Sequence, residues 1–373
     1  MPYFLKCRFD PRFDPERLRP KRLDNGSVDH YDLGYTQNVV VGEVIAELQE
    51  LSESKDNSGV NRAFVRDDKS FPAGPNTEVN PEDDSQLLAA ANGLVFMDEN
   101  GRITVRKKLT ISKDVDFRTG NIFFVGDLVV KGAVRSGFQI RAKNLLAKEL
   151  IEGAEVQSMQ FLASPGGVKG NSVAFLQAGK SMKLGFAENA VLKASENVLI
   201  EKNSLHCRIY AGRKLAVKGR LIGGLCYGYQ LVYVGEQLGG GMSSSTQVVV
   251  GFDPLLLYQD QQMGEQVEDV RARIQQYTRQ LSKSPEVERE VRPKLEKAEK
   301  KMELLTRRKA EVWEKISAGE RVHTAAVVCP GEVRPGVEIS IGTAYLKVND
   351  YLKDVRFSLK DGVIVTESPA MRK

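Results

Sequence analysis

The chain has 373 residues, with 54 Lys and Arg against 49 Asp and Glu for a formal net charge of +5, and 41% hydrophobic against 28% charged residues. This is a globular composition rather than a disordered one. The charge is small and dispersed, from a slightly acidic N-terminal third to a slightly basic remainder, so the concentrated positive field of a nucleic-acid binder is absent.

Four cysteines (Cys7, Cys207, Cys226 and Cys329), none in a CxxC pair, and 3 histidines make a zinc cluster or a histidine-based active site a poor fit. Residues 1–10 lack the apolar core of a signal peptide, and no apolar run approaches ~18 residues. A reduced, cytoplasmic protein with no membrane insertion is expected.

Residues 1–110 read as a small N-terminal α+β domain. Tyr35 to Leu51 mixes strand and helix patterns, with Val44, Ile45, Leu48 and Leu51 on one helix face. Residues 52–60 form a polar linker, and residues 71–86, with Pro72, Pro75 and Pro81, are mostly loop. Asp84 or Ser85 can cap a helix over Gln86–Ala91, closed by Gly93. Leu94–Met97 and Arg102–Val105 flank the turn Asp98-Glu99-Asn100-Gly101 as a hairpin.

Residues 111–253 carry an internal repeat. Each unit opens with an apolar-x-apolar pair: Leu128/Val130, Leu145/Ala147, Phe161/Ala163, Met182/Leu184, Val198/Ile200, Leu215/Val217, then Leu231/Tyr233. Each closes with an apolar-x-small pair, as in Ile140/Ala142, Val156/Ser158, Leu176/Ala178, Leu192/Ala194, Ile209/Ala211 and Cys226/Gly228. The openers lie 17, 16, 21, 16, 17 and 16 residues apart. The long interval holds Ser164-Pro165-Gly166-Gly167, read as an extra loop. Gly132, Gly153, Gly185 and Gly219 fall where corners need small residues.

Such units are too short for a helix and strand with their own core. They suit one turn of a parallel β-solenoid with three short strands, each coil paired by the next. An ordinary β-sandwich lacks such regular spacing, and a left-handed hexapeptide solenoid needs a strict six-residue pulse. Elimination therefore leaves a right-handed parallel β-helix, and the chain as a whole is mainly β.

Residues 254–318 read as an inserted antiparallel coiled-coil hairpin. Met263, Val267, Val270, Ile274, Tyr277 and Leu281 step alternately by four and three. Val291, Leu295, Ala298, Met302, Leu305, Val312 and Ile316 follow the same heptad seam, with Lys309 filling one position. Asp253 is the N-cap and Pro254 the first helical residue. Ser282-Lys283-Ser284-Pro285 is the tip, Gly319 ends the second arm, and Pro293 makes that arm either start near Val291 or kink. Trp313 is expected to anchor the hairpin on the solenoid. Residues 319–373 return to short strands, through Asp361-Gly362, as further coils and a cap.

The segment from Asp114 to Val134, with Asp114-Val115-Asp116-Phe117-Arg118-Thr119-Gly120-Asn121-Ile122 and Gly126-Asp127-Leu128-Val129-Val130-Lys131-Gly132, resembles the flagellar assembly protein A family. Val333–Asp350 and Val355-Arg356-Phe357 are similar to that family's last coils. The resemblance spans residues 94–365, while the N-terminal part departs from the pattern in its weak glycine-rich stretches. It implies a right-handed solenoid with a coiled-coil insert, a bacterial cytoplasmic setting, and a scaffold or regulatory role in flagellar assembly or polar placement. Its implied partners are flagellar or polar-localisation regulators.

Candidate chemistry is sparse. Asp114 and Asp116 share a face, as a carbohydrate-acting solenoid would need, but the column below Asp127 (Asn144, Gln160, Ser181, Asn197, Lys214, Gln230) is a polar ladder. Cys207 points inward and His206 outward, so they form no nucleophile pair. Gly239–Ser245 is glycine-rich but lacks a phosphate-loop lysine. No catalytic, cofactor-binding or metal residue is assigned, no cofactor is expected, and the binding surface stays open. The expectation is a non-enzymatic scaffold acting through protein partners, with possible homo-oligomers. The alternatives are a bactofilin-like filament and, third, a carbohydrate-acting enzyme.

Overall fold

Alternating apolar residues give short strands one buried face, and in this chain those faces line up in columns. The structure is a computed structural model that describes residues 2–22, 28–51, 61–241, 244–281, 285–319 and 321–370. The expected linker at 52–60 and the tip residues Ser282–Ser284 lie outside the described residues. The chain divides into two compact units, residues 1–191 and 192–373.

In the first unit, Tyr3–Cys7, Val44–Glu50, Gln86–Ala89 and Thr77–Val79 pair antiparallel. Asn38–Val39, Gly93–Met97 and Ile103–Arg106 form a second small sheet. Leu5, Ile45, Leu48, Leu87, Val95 and Ile103 make the shared core. The hairpin at Asp98–Gly101 is present, with the Asp98 N–H donating to Arg102 O at 2.8 Å.

The stretch of mixed strand and helix pattern holds the strand Val44–Glu50, and the expected helix over Gln86–Ala91 is the strand Gln86–Ala89, so this is a β region. A bulge between Val44 and Ala46 buries Ile45 and Ala46 together, followed by Leu48. That bulge imitates helical spacing. At Gln86 the preceding Asp83 accepts the Ser85 N–H and hydroxyl. The resulting turn leads into a strand whose Leu87 and Ala89 are buried.

The coils follow, with three strands per turn. Three buried ladders run through the first unit: Leu109, Leu128, Leu145, Leu162 and Met182; Ile122, Ile140, Val156 and Leu176; and Val115, Val134, Ile151 and Val168. The third coil corrects the sequence register. Leu162 and Ser164 face inward, and Phe161 is 49% exposed. The extra residues also lie elsewhere. Leu145 to Ile151 and Leu162 to Val168 are equal steps, and the added length falls between Val168 and Leu176, where Asn171 and Ser172 have φ of 49° and 62°.

Corner glycines are set mainly by rung spacing. A Cβ on Gly185 would lie 2.0 Å from the Pro165 carbonyl oxygen, whereas Gly153 needs its positive φ of 39°. The first coil's edge is covered from the N-terminal region by side chains. Thr36 Oγ1 and Asn38 Nδ2 donate to Phe123 O, and Asn38 Oδ1 accepts the Val125 N–H.

The second unit continues the pattern with ladders Val198, Leu215, Val232, Val327 and Ile209, Cys226, Val248, Ile339. Val232 and Val234 face inward, not Leu231 and Tyr233. Coils of both units make about 8 turns of parallel β-solenoid.

Between Val250 and Ala326 the chain leaves as helices α1 (Pro254–Leu281) and α2 (Pro285–Ala318), then rejoins the stack in register. Asp253 caps α1 through the Leu255 N–H at 2.8 Å. Val270, Val291, Leu305, Val312 and Ile316 are buried along the seam, and the seam Lys309 pairs with Asp260. Pro293 lies inside an unbroken α2. The hairpin's base rests on a coil face. Tyr210, fully buried, donates to Gln261 Oε1 at 2.7 Å, stacks on Tyr227 and meets the Tyr258 ring edge-on. Trp313 is 54% exposed and is not that anchor. Leu352–Lys360 lies antiparallel on Ala326–Val333, covering an edge of the last coil.

Candidate functional site

The two aspartates that could have done acid–base work are committed to turns. Asp114 Oδ1 accepts the Ala133 N–H at 2.8 Å and its Oδ2 pairs with Arg135 at 2.7 Å. The amide and the guanidinium hold its carboxyl below the usual carboxylate range. Asp116 is held down by the Arg118 side chain, at 2.6 Å, and by the Arg118 amide. Both are ionised at neutral pH, so neither is suited to donating a proton as a glycosidic acid must.

His206 is exposed, in a left-handed conformation with φ of 52°, and Cys207 is buried on the opposite face. Burial pushes the Cys226 thiol up, and that of Cys329 up to about 11, so neither is a ready nucleophile. In the loop Gly239–Ser245, Met242 and Ser243 lie outside the described residues. Thr246, just beyond it, accepts the Gly223 N–H. Among the described residues no three His, Cys, Asp or Glu side chains gather as metal ligands.

Several outward polar columns pair across rungs. Asn144 Nδ2 donates to Asp127 Oδ1 at 2.7 Å, and Gln139 Nε2 to Glu155 Oε2 at 3.1 Å. Arg135 pairs with Glu152 at 2.8 Å and Lys218 with Glu201 at 2.5 Å. The register corrections move Phe161 and Leu231 into the column expected to hold Gln160 and Gln230.

One surface within the first unit is different. A groove of about 710 Å³ lies between the Asn38–Val40 segment and a corner of the coils. Phe123, Arg141, Gln157 and Met159 line it. The Arg141 guanidinium lies 5.5 Å over the Phe123 ring, and Lys180 Nζ lies 5.7 Å over Phe161. Sequence reasoning missed this surface because it placed Phe161 in the core. A uniform step from Leu145 to Leu162 would have turned Phe161 outward beside Met159.

Ladders of apolar side chains in stacked three-strand coils, interrupted by a helical hairpin, define a β-solenoid protein with a coiled-coil insert. The chain belongs to the Flagellar Assembly Protein A family: residues 107–364 match its beta solenoid domain and residues 6–100 its N-terminal region. The N-terminal part is thus family-typical, against the departure expected from its weak glycine pattern. No curated protein and no solved structure matches the chain. No helix among the described residues is long and apolar enough to cross a membrane.

Proposed function

We propose that the chain is a non-enzymatic scaffold of flagellar assembly or polar placement, working in the cytoplasm through protein partners. The observation that carries this is the combination of a laddered coil stack, several of whose polar columns pair across rungs, with a hairpin fixed at its base by Tyr210. Arms of 28 and 34 residues would reach about 40–50 Å. Such a part holds spacing and offers surface. Family membership supplies the flagellar context.

Two observations weigh against the filament reading. The first coil is edged by Thr36 and Asn38, and the last by antiparallel strands. The ionised, arginine-bound Asp114 and Asp116 weigh against carbohydrate chemistry.

Crosslinking and pull-down from cells tests the scaffold. The comparison is with a chain whose hairpin is cut back beyond Gln261 and Lys309, keeping the base on Tyr210. Loss of partners or of motility identifies the hairpin as an arm. An intact chain with no specific partners overturns the reading.

A further inference from the structure

We infer that the groove beside Phe123 and Met159 docks an acidic, apolar segment of a partner protein. This rests on the scaffold reading and names its surface. Met159 is 74% exposed, Val41 61%, Phe161 49%, Val40 48% and Phe123 38%, all within the first unit. On neighbouring columns several outward polar positions pair across rungs, as Gln139 with Glu155, Asn144 with Asp127 and Arg135 with Glu152. Here large apolar groups meet water and none of the described residues covers them, so a partner's apolar side chains would gain from burial against them.

The charge around the groove selects the partner's chemistry. Lys143 and Lys180 directly follow the lining residues Ala142 and Gly179, and Gln160 stacks between them on the corner. Two rungs separate the lysines, about 10 Å at the spacing of neighbouring strands. Among the described residues neither has a carboxylate at ion-pair distance. Two carboxylates stand nearby: Glu155 accepts from Gln139 and Gln157 and lies 3.9 Å from Arg141, and Glu43 accepts the Val40 N–H. Arg141, Lys143 and Lys180 thus outnumber Glu155 and Glu43 around the apolar floor, and the two lysines have no carboxylate partner among the described residues. The complement is a segment with leucine- or phenylalanine-like side chains for the floor and Asp or Glu for Lys143 and Lys180.

Fluorescence anisotropy of the full chain with a short labelled peptide of Leu, Glu and Ser tests this. The controls are the same peptide with Lys for Glu, and phosphatidylglycerol vesicles. The acidic peptide should bind, and binding should weaken with salt. Lys143→Glu with Lys180→Glu should weaken it about tenfold or more. Met159→Ser should cost about fivefold. All three side chains are on the surface, and circular dichroism checks that each variant folds.

Equal binding of the basic peptide, or binding untouched by the variants, overturns the proposal. So does capture of vesicles without peptide, or a self-association of the chain abolished by Met159→Ser, which would make a second copy the occupant. In the cellular pull-down, a groove variant that keeps every partner of the intact chain overturns this docking site and leaves the scaffold standing. An intact chain with no partners removes the scaffold reading itself.

Discussion

Adjacent truncations at Phe161 and Leu162 decide the register of the third coil. Leu162 is 1% exposed and stacks between Leu145 and Met182, while Phe161 is 49% exposed. Leu162→Ala removes three buried carbons, about 2 kcal/mol of transfer free energy at roughly 0.8 kcal/mol each. The cavity left between two rungs raises that to about 3–4 kcal/mol. Phe161→Ala removes a half-wet ring and the overlying Lys180 contact, together about 1 kcal/mol.

For a unit of this size each kcal/mol moves the melting temperature by about 2–4 °C. Leu162→Ala should then lower it by roughly 6–16 °C and Phe161→Ala by no more than about 4 °C. Circular dichroism melts measure this. Native-state hydrogen exchange should place the Leu162→Ala loss in the rungs of Leu145–Ala147 and Met182–Leu184, because a stacked coil passes its energy to nearest neighbours. Equal losses, or a larger one at Phe161, would refute the inward placement of Leu162 and the outward placement of Phe161.

Gly179→Ala would place a Cβ 1.9 Å from the Met159 carbonyl oxygen, whereas one on Gly101 meets nothing within 4 Å. The first should cost about 2 kcal/mol or more through rung displacement, the second about 1 kcal/mol of backbone strain. Melts showing no difference would contradict spacing as the cause. Tyr210→Phe loses the bond to Gln261, about 1 kcal/mol, and should speed exchange in the first turns of α1 without touching the coils. Unchanged α1 exchange would remove Tyr210 as the lock. The depressed carboxyls of Asp114 and Asp116 contribute fully at neutral pH, above the unfolded value near 3.8. That contribution fades as pH falls through their lower folded values. NMR in acid should therefore show residues 114–119 loosening, less so in Asp114→Asn; equal loosening in both would break the link. Cys207, Cys226 and Cys329 are buried and should resist a thiol reagent at mildly alkaline pH until the protein unfolds. Rapid labelling of any of them would contradict their inward placement.

The coil period was readable because each rung repeats an inward apolar position, and the ladder at Leu128 and Leu145 is visible as plain alternation. Register failed where two alternations compete. Phe161-Leu162-Ala163-Ser164 offers Phe/Ala or Leu/Ser, and the hydrophobic choice is the wrong one. The inward Ser164 is satisfied by bonds to Glu149 O and Gly167 O, which no composition rule foresees. Leu231-Val232-Tyr233-Val234 is apolar on both faces because Leu231 and Tyr233 are themselves covered by Ala326, Val328 and Ala370. The heptad seam was legible in full, since helical burial depends on near neighbours. Trp313 was not, because Val312 and Ile316 take the inward places beside it.

A stacked coil places the same position of successive turns about 4.8 Å apart, so like charges in one column repel strongly. Some columns answer with opposite or neutral partners: Arg135, Glu152 and Lys169 alternate in sign, and Asp127 meets Asn144, while Lys131 and Lys148 occupy neighbouring rungs. That arrangement stabilises the stack and keeps the acids of these columns apart. Lys143, Gln160 and Lys180 likewise set two cations apart by an amide, neither lysine having a carboxylate at ion-pair distance among the described residues. Beside that imbalance lie the exposed Phe123, Met159 and Phe161. An uncompensated column and an uncovered apolar floor are each mildly unfavourable in the isolated chain. A single acidic, apolar segment relieves both at once, which ties the surface to binding rather than to folding.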